Sequence, residues 1–420
     1  MQKFIIKGRK QLKGTIQVRG AKNAATPILA GTLLTKDPCI ISNLPLIEDV
    51  FRMIELLKRM GSEIEWLGKR KIKICTKAVN PKNLDQKTVC SLRSSILLMG
   101  PMLARFKNFF THKPGGCNIG ARPIDTHLIA LQSLGAKIIK KRPFLHVQAK
   151  NLQGAEFTMP EFSLTASENA IMASVLAKGT SIIHCIASDH YVQDVCKFLN
   201  SMGAKILGIG THTLKITGVK KLKGTKYKIM PDPIEMGTFI CLAGACKSNI
   251  LIRNFRSDFL RAEILKFRQA GLKLEIKNST CKVLGKESKL RAVKVHNMPA
   301  PGFTADLLHP FAVLLTQAKG QSLIHDWMYE GRLKYINDLI KMGANALICD
   351  PHRALITGPT ILAGQEITSY DLRAGASLLI AALAAKGRTV VSDAYQVDRG
   401  YEKIEKRLQA LGADIERVDD

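Results

Sequence analysis

One short pattern occurs six times along the 420 residues: the end of an amphipathic helix, a glycine, and then an alternating strand. In Leu131-Gln-Ser-Leu-Gly135-Ala-Lys-Ile, apolar residues keep helical spacing up to the glycine and alternate after it. A glycine in that place is typical of a helix C-cap. The copies are 68 to 74 residues apart, and their glycines are Gly61, Gly135, Gly203, Gly271, Gly343 and Gly412.

A second pattern recurs, in which an alanine-rich helix runs through a Lys-Gly turn into an apolar strand. It occurs at Ala177-Lys-Gly, Ala318-Lys-Gly and Ala385-Lys-Gly, and more loosely at Ala245-Cys-Lys. Each repeat therefore holds two helices and several strands, and its period exceeds the roughly 20–50 residues of a solenoid. Six such units are too many for one core, so the sequence predicts an α/β protein of two globules with helices buried behind sheets. Residues 231–233 are a reasonable crossover, and the N-terminal residues Met1-Gln-Lys-Phe-Ile-Ile predict a strand.

The formal net charge of +29 makes a nucleic-acid-binding protein the first alternative to consider. The lysines are spread along the chain, with modest clusters at 137–150 and 215–228, and aromatic residues make up 6%. No known nucleic-acid-binding module is evident. We therefore expect a solvated basic surface, no nucleic acid partner, and steering of an anionic substrate as a by-product.

The ten cysteines are scattered, and no CxxC occurs; the closest pair is Cys241 and Cys246. This predicts reduced thiols in a cytoplasmic protein rather than disulfides or a zinc site. No HExxH, P-loop or GxGxxG motif is present, so we expect neither a metal nor a nucleotide cofactor. No apolar run reaches membrane-spanning length, and the apolar stretch in the first residues is too short for a secretory signal. We therefore expect no membrane partner.

The loop of residues 114–123 (Pro-Gly-Gly-Cys-Asn-Ile-Gly-Ala-Arg-Pro) is the strongest chemical signal. Its paired glycines permit a tight curl, and Arg122 follows the Cys117 thiol by five residues. A thiol beside a cation in such a loop is typical of a reactive group with a lowered pKa. The alternative is a buried cysteine that only packs.

Together with the sixfold repeat, five segments make the chain resemble the enolpyruvyl transferase family, in particular its branch that acts on UDP-N-acetylglucosamine. The resemblance runs end to end, through residues 20–29, 92–97, 114–123, 371–378 and 398–402. It implies two inside-out α/β globular domains, each of three βαβαββ repeats with buried helices, and a ligand cleft between them. The first domain would be 22–230, carrying the Cys117 loop, and the second 1–21 with 231–420.

The resemblance also implies an activity: transfer of the enolpyruvyl group of phosphoenolpyruvate to the 3′-OH of UDP-N-acetylglucosamine, with release of phosphate. This is the first committed step of peptidoglycan precursor synthesis, needed for cell wall, cell shape and division. The expected protein is a cytoplasmic transferase without cofactor or metal, a monomer or weak homo-oligomer. Its partners would be small-molecule substrates, and fosfomycin-type epoxides would alkylate Cys117.

Site residues follow from the same resemblance. Cys117 would handle the C3 proton, with a pKa near the working pH, and Asp306 would accept the proton of the 3′-OH. A helix N-cap is the competing role for Asp306, and Asp371 is the reserve carboxylate. The groups for phosphoenolpyruvate are Lys22, Asn23, Arg122, Arg332 and Arg399; those for the sugar nucleotide are Asn23, Arg93, Arg122, Pro123, Ile124, Asp125, Thr126, Ser163, Leu164, Asp306 and Met328.

Some positions depart from the family pattern. They are Glu161 in place of a lysine, Thr165 in place of glycine, Thr304-Ala305 before the base, Pro233 in place of arginine, and Asp189-His190-Tyr191. These departures leave nucleotide affinity and loop closure open. One alternative is the related branch that acts on shikimate 3-phosphate, but that branch lacks the Pro-Gly-Gly-Cys loop. The other alternative is a catalytically inert relative. The combined presence of four residues argues against it: Lys22, Cys117, Asp306 and Arg399.

Overall fold

A computed structural model of the protein describes residues 2–115, 123–141 and 143–419. Cys117 and Arg122 lie outside the described residues. The strands, in chain order, are β1 (Gln2–Lys7), β2 (Lys13–Gln17), β3 (Cys39–Ser42), β4 (Glu63–Gly68), β5 (Lys71–Cys75), β6 (Asn108–His112), β7 (Lys137–Lys141), β8 (Phe144–Gln148), β9 (Glu156–Thr158), β10 (Thr180–His184), β11 (Lys205–Leu207), β12 (Thr213–Thr217), β13 (Lys226–Lys228), β14 (Asn249–Arg253), β15 (Leu274–Lys277), β16 (Thr280–Leu284), β17 (Lys294–His296), β18 (Gly320–His325), β19 (Asn345–Ile348), β20 (Arg353–Gly358), β21 (Glu366–Thr368), β22 (Arg388–Ser392) and β23 (Asp414–Asp419). The helices are α1 (Lys22–Gly31), α2 (Glu48–Arg59), α3 (Gln86–Ser91), α4 (Met99–Phe106), α5 (Asp125–Ser133), α6 (Leu164–Ser174), α7 (His190–Ser201), α8 (Pro233–Ala245), α9 (Arg261–Gln269), α10 (Leu308–Leu315), α11 (Tyr335–Lys341), α12 (Leu372–Ala384), α13 (Tyr395–Asp398) and α14 (Ile404–Gln409).

The described chain divides into two compact units. The first unit comprises residues 20–115, 123–141 and 143–230, and the second unit comprises 2–19 and 231–419. The N-terminal strand is confirmed and pairs with β22 and β23 from the end of the chain. That 22–230 and 1–21 with 231–420 act as the functional domains stays a prediction.

Six small sheets carry the described strands, three in each unit. The first unit has the orders β13-β3-β5-β4, β6-β8-β7 and β11-β12-β10-β9, and the second has β15-β16-β14-β2, β17-β18-β20-β19 and β21-β22-β1-β23. Each four-stranded sheet combines one parallel edge pair with antiparallel pairs. This alternation of parallel and antiparallel pairing is the pattern that a repeated βαβαββ unit produces.

The six repeated glycines all cap helices, as predicted. Each has a φ between +87° and +103°, a left-handed conformation that glycine adopts without strain. Each follows a helix by two or three residues and precedes a strand; Gly135, for example, stands between α5 and β7. The Lys-Gly turns lead from α6, α10 and α12 into β10, β18 and β22, which also agrees with the sequence.

In each unit a set of buried helices lies behind the sheets, so the predicted α/β class with buried helices is confirmed. Every residue of α8 and of α10 is buried, as are twelve of the thirteen residues of α12. These three helices pack on one another in the second unit. In the first unit the corresponding buried helices are α1, α4 and α6, with eight of ten, five of eight and nine of eleven residues buried, and α4 packs on α6. The first turns of α1, α10 and α12 carry Lys22, His309 and Arg373.

Candidate active site

In the second unit, the Asp306 carboxylate is held by two arginines. Asp306 lies in a single turn of 3-10 helix, Ala305–Leu307, directly before α10. Its Oδ1 accepts from Arg332 Nη2 at 2.5 Å, and its Oδ2 accepts from Arg373 Nε at 3.0 Å. The N-cap residues of this turn and of α10 are Thr304 and Leu307, and neither helix start has a side-chain capping bond, so the alternative role of Asp306 as a helix N-cap is wrong.

The fold holds Arg373 through the start of α12. Asp371 is the N-cap, and its Oδ1 accepts the backbone N–H of Arg373 at 2.7 Å and of Ala374 at 3.0 Å. The Arg373 guanidinium lies over the Tyr401 ring at 5.7 Å and is 3.5 Å from the Tyr401 hydroxyl. Asp371, the reserve carboxylate, therefore supports the site by fixing Arg373.

The Arg332 side chain is as deeply buried as that of Arg373. It is 5% exposed, and its guanidinium lies 4.8 Å from the centre of the Tyr329 ring. The backbone N–H of Tyr329 donates to Asp326 Oδ1, which also accepts from Asn297 Nδ2 at 2.6 Å. The loop after β18 is thereby fixed under Arg332, and the half-buried Met328 belongs to the same loop.

These contacts set the charge of Asp306. Burial alone would raise the pKa of the Asp306 carboxyl, but the positive charges and hydrogen bonds of Arg373 and Arg332 outweigh it and hold that pKa well below its usual value. The carboxylate is ionised and binds two cations. It is a weak base as long as both ion pairs persist.

Arg399 is a buried cation of the second unit rather than a solvated surface charge. It follows α13, is 8% exposed, and its Nη1 lies 3.4 Å from Gln396 Oε1. A buried guanidinium needs an anionic or strongly polar partner. Arg332 and Arg399 are thus both buried guanidinium groups of the second unit.

In the first unit, Lys22 opens α1 and pairs with Asp49 on α2. Its Nζ lies 2.8 Å from Asp49 Oδ2, and the two side chains are 16% and 7% exposed. Asn23 is the next residue of α1 and is half-buried. The acidic partner of Lys22 was not predicted from the sequence.

A cavity of about 240 Å³ in the first unit collects four of the residues predicted for the sugar nucleotide. Arg93, Pro123, Ile124 and Asp125 line it, and Arg93 Nη2 is 3.5 Å from the carbonyl oxygen of Pro123. Two further cations, Lys113 and Lys140, also line it. The cavity therefore has the net positive charge that suits an anionic ligand.

The two departures at 161 and 165 contact the beginning of α5. Thr126 donates its hydroxyl to Glu161 Oε1 at 2.9 Å. His127 accepts at Nδ1 from Asn169 Nδ2 at 2.9 Å, so its proton lies on Nε2, which faces Thr165 Oγ1 at 3.2 Å. Burial and, second, Arg93 lower the pKa of this histidine to about 3.

Ser163 and Leu164 lie at the start of α6, between these two departures. Ser163 is the N-cap residue, its side chain forms no capping bond, and Leu164 is the first residue of the helix. The N–H groups of a helix start carry partial positive charge and suit phosphate oxygens. Four of the predicted nucleotide residues, Asp125, Thr126, Ser163 and Leu164, thus lie at two helix starts of the first unit.

Sequence reasoning missed Arg373, Asp49 and His309, which lies in the first turn of α10. A signal existed for Arg373, since a lone arginine in the apolar run of α12 is unusual. For Asp49 and His309 the sequence carries no comparable signal, because their neighbours come from distant segments.

Over the described ranges, no cluster of three or more His, Cys, Asp or Glu residues has metal-binding geometry. None of the nine cysteines in the same ranges takes part in a disulfide. Within those ranges no helix has both the length and the hydropathy needed to cross a bilayer.

Comparison with known proteins identifies the family of the chain. The sequence model of the family described as EPSP synthase (3-phosphoshikimate 1-carboxyvinyltransferase) matches residues 6–408. UDP-N-acetylglucosamine 1-carboxyvinyltransferase 1 of Carboxydothermus hydrogenoformans is 41% identical, over 100% of this chain and 99% of the relative. UDP-N-acetylglucosamine 1-carboxyvinyltransferase 2 of Clostridium tetani is 42% identical over 100% of both chains.

Solved structures show the same fold. The enolpyruvyl transferase NikO from Streptomyces tendae matches with a TM-score of 0.90 and 21% identity, over 99% of both chains. EPSP synthase from Acinetobacter baumannii matches with a TM-score of 0.77 and 19% identity, over 100% of both. Sequence identity of 41% and 42% over the full chain shows that it is a transferase of the enolpyruvyl transferase family and belongs among the UDP-N-acetylglucosamine 1-carboxyvinyltransferases.

Proposed function

We propose that the protein transfers the enolpyruvyl group of phosphoenolpyruvate to the 3′-OH of UDP-N-acetylglucosamine and releases phosphate, the first committed step of peptidoglycan precursor synthesis. The proposal is carried by about 41% identity over the whole chain to enzymes named for this sugar nucleotide. The solved shikimate-type relative is 19% identical, which supports the fold but not that acceptor.

The reaction needs cations for the phosphoenolpyruvate carboxylate and phosphate. Arg332 and Arg399 supply buried guanidinium forks, which suit planar carboxylates, and Lys22 supplies a point charge for phosphate. Asn23 and Arg122 complete this proposed set. In the resting structure Asp306 occupies Arg332 and Asp49 occupies Lys22, so the substrate anion competes with carboxylates for these cations.

The chemistry proceeds in two steps. The sugar oxygen adds to C2 while its proton goes to Asp306, and C3 receives a proton from Cys117. Phosphate then leaves C2 as a proton is lost from C3. When the substrate anion draws Arg332 away from Asp306, one of the two ion pairs that lower its pKa is lost and the carboxylate becomes a stronger base.

The sugar nucleotide would bind in the first unit. Arg93, Pro123, Ile124 and Asp125 line the cationic cavity, and the α6 start offers backbone N–H groups to the diphosphate. The other proposed contacts are Arg122, Thr126, Ser163, Leu164, Met328, and Asp306 at the reacting hydroxyl. We further propose a cytoplasmic monomer or weak homo-oligomer with domains 22–230 and 1–21 plus 231–420, inhibited by epoxides at Cys117.

Phosphate release from phosphoenolpyruvate tests the function. We expect release that requires UDP-N-acetylglucosamine and that is lost in the matched variant Asp306→Asn. Release with shikimate 3-phosphate as the acceptor, and none with the sugar nucleotide, would overturn the proposal.

A further inference from the structure

One buried histidine near the cluster of Asp306, Arg332 and Arg373 takes no part in the mechanism described above. His309 is in the first turn of α10, three residues after Asp306, and is 1% exposed. Neither ring nitrogen has a hydrogen-bond partner among the described residues. Burial and, second, the charge of Arg332 lower its pKa to about 4, so the ring is neutral and offers one acceptor nitrogen.

The packing around His309 does not require an imidazole. Its ring packs on that of Tyr335, with centres 4.4 Å apart and planes at 33°. A phenylalanine ring would fill this space without burying two unpartnered nitrogens, which is unfavourable. The imidazole therefore adds a hydrogen-bonding capacity that the resting structure does not use.

The complementary donor is on Arg332. Nη2 of Arg332 donates to Asp306, but its Nε is buried and has no partner among the described residues. Two contacts place Arg332 near His309: Asp306, three residues before His309, pairs with Arg332, and Tyr335, three residues after Arg332, packs on the His309 ring. The other charged groups that face the ring are Asp371, Asp306 and Arg373. An unpartnered donor and an unpartnered acceptor thus lie in one buried neighbourhood.

We propose that His309 is a positioning residue for Arg332, accepting the Nε–H of the guanidinium when its Nη groups turn from Asp306 to the anion of phosphoenolpyruvate. This inference rests on the proposed function. The Nη groups exchange Asp306 for the substrate anion, the Nε–H gains a hydrogen bond to His309, and no proton moves. It holds the guanidinium plane toward the substrate and leaves Asp306 with its single pair to Arg373, which prepares the carboxylate to act as a base.

Three substitutions at this position separate positioning from packing. His309→Phe keeps the ring and removes the acceptor, His309→Asn places an oxygen near the position of Nδ1, and His309→Gln places one near Nε2. Tyr335→Phe is the matched control, because it keeps the ring contact and removes only a buried hydroxyl that has no partner among the described residues. Thermal unfolding checks that each variant is folded.

Steady-state phosphate release gives the readout. We expect His309→Phe to raise KM for phosphoenolpyruvate about tenfold or more, as for a lost hydrogen bond to a charged group, while KM for UDP-N-acetylglucosamine stays within twofold. Asn or Gln should recover most of that loss and so identify the nitrogen, and Tyr335→Phe should match the wild type.

A phosphoenolpyruvate KM within twofold of wild type in folded His309→Phe would overturn the inference. So would an equal rise in both KM values, or a loss that neither amide recovers. Wild-type protein that releases no phosphate with UDP-N-acetylglucosamine would instead refute the proposed function itself.

Discussion

The Arg373 guanidinium donates its Nε–H to Asp306 Oδ2 over 3.0 Å, and so takes the carboxylate oxygen that Arg332 leaves open. The two residues are 67 positions apart in the chain. Because Asp371 caps the helix that carries Arg373, the geometry of the carboxylate depends on the first turn of α12. Arg373 thus belongs to the same ion-pair cluster as Asp306 and Arg332, two of the residues predicted from the sequence.

Replacing Arg373 by lysine should lower kcat about 100-fold with the fold retained, since an ammonium does not reproduce the planar fork that orients Asp306. Phosphate-release kinetics measure the effect. The matched control is Arg353→Lys, because Arg353 is exposed and forms an ion pair with Asp350 at 2.6 Å across a β-turn. That variant should stay within twofold of wild type, and a comparable loss in both would contradict the role of Arg373.

Two buried histidines should make the protein less stable in acid. The pKa of His309 is lowered to about 4 and that of His127 to about 3, against 6.5 for an ordinary histidine, by burial first and nearby arginines second. Below pH 6.5 the unfolded chain therefore binds protons that the folded chain refuses, so stability falls as pH falls from 6.5 toward 4. Each group contributes a slope of about 1.4 kcal/mol per pH unit.

Urea unfolding between pH 5 and 7 measures that slope. His309→Phe removes one of the two groups, so its free energy of unfolding should depend less on pH than that of the wild type. An unchanged slope would mean that His309 is charged or exposed in the folded protein.

Glu168 should act in the opposite sense. It is 1% exposed on α6, and burial, with Asp189 second, raises its pKa well above 4.5. The folded protein then keeps a proton that the unfolded chain loses above pH 4.5, so stability falls as pH rises. Glu168→Gln should be more stabilising at pH 8 than at pH 5 in thermal unfolding. Equal effects at both pH values would show that Glu168 is ionised in the fold.

Glu161 should weaken binding of the sugar nucleotide. Its carboxylate accepts from Thr126 at the start of α5, beside residues proposed to hold an anionic ligand. Glu161→Gln keeps an acceptor for Thr126 and removes the charge, which is worth about 1 kcal/mol at 4 Å in water. KM for UDP-N-acetylglucosamine should fall several-fold, and less at high salt. A rise in KM would assign Glu161 a direct role in binding.

Cys117→Ser should abolish labelling by a fosfomycin-type epoxide and slow turnover severely, because a serine hydroxyl neither matches the acidity of the thiol nor reacts with the epoxide. Mass spectrometry of the labelled protein and phosphate release measure the two effects. Unchanged turnover would remove Cys117 from the mechanism.

The sequence predicted the parts of the fold that depend on local structure. Gly135 and its five counterparts signal helix ends because a left-handed residue after an amphipathic helix favours glycine. The buried position of α10 followed from the size and number of the repeats. Which strands pair across long separations, such as β2 with β14, followed from no local pattern.

Motifs in the sequence predicted which residues to consider for the candidate site. They did not predict which charged side chains form ion pairs with one another. Asp306 and Arg332 were identified as separate residues, but their ion pair spans 26 positions and depends on tertiary packing. The same holds for Thr126 with Glu161, 35 positions apart. A departure from the family pattern signals a changed contact but does not say which partner it makes.

The most direct test of the central claim is the mass of the product formed by the wild-type protein from phosphoenolpyruvate and an equimolar mixture of UDP-N-acetylglucosamine and shikimate 3-phosphate. We predict that the sugar nucleotide gains the mass of one enolpyruvyl group in step with phosphate release, and that Asp306→Asn forms none of this product. An enolpyruvyl group on shikimate 3-phosphate, or full product formation by Asp306→Asn, would contradict the account.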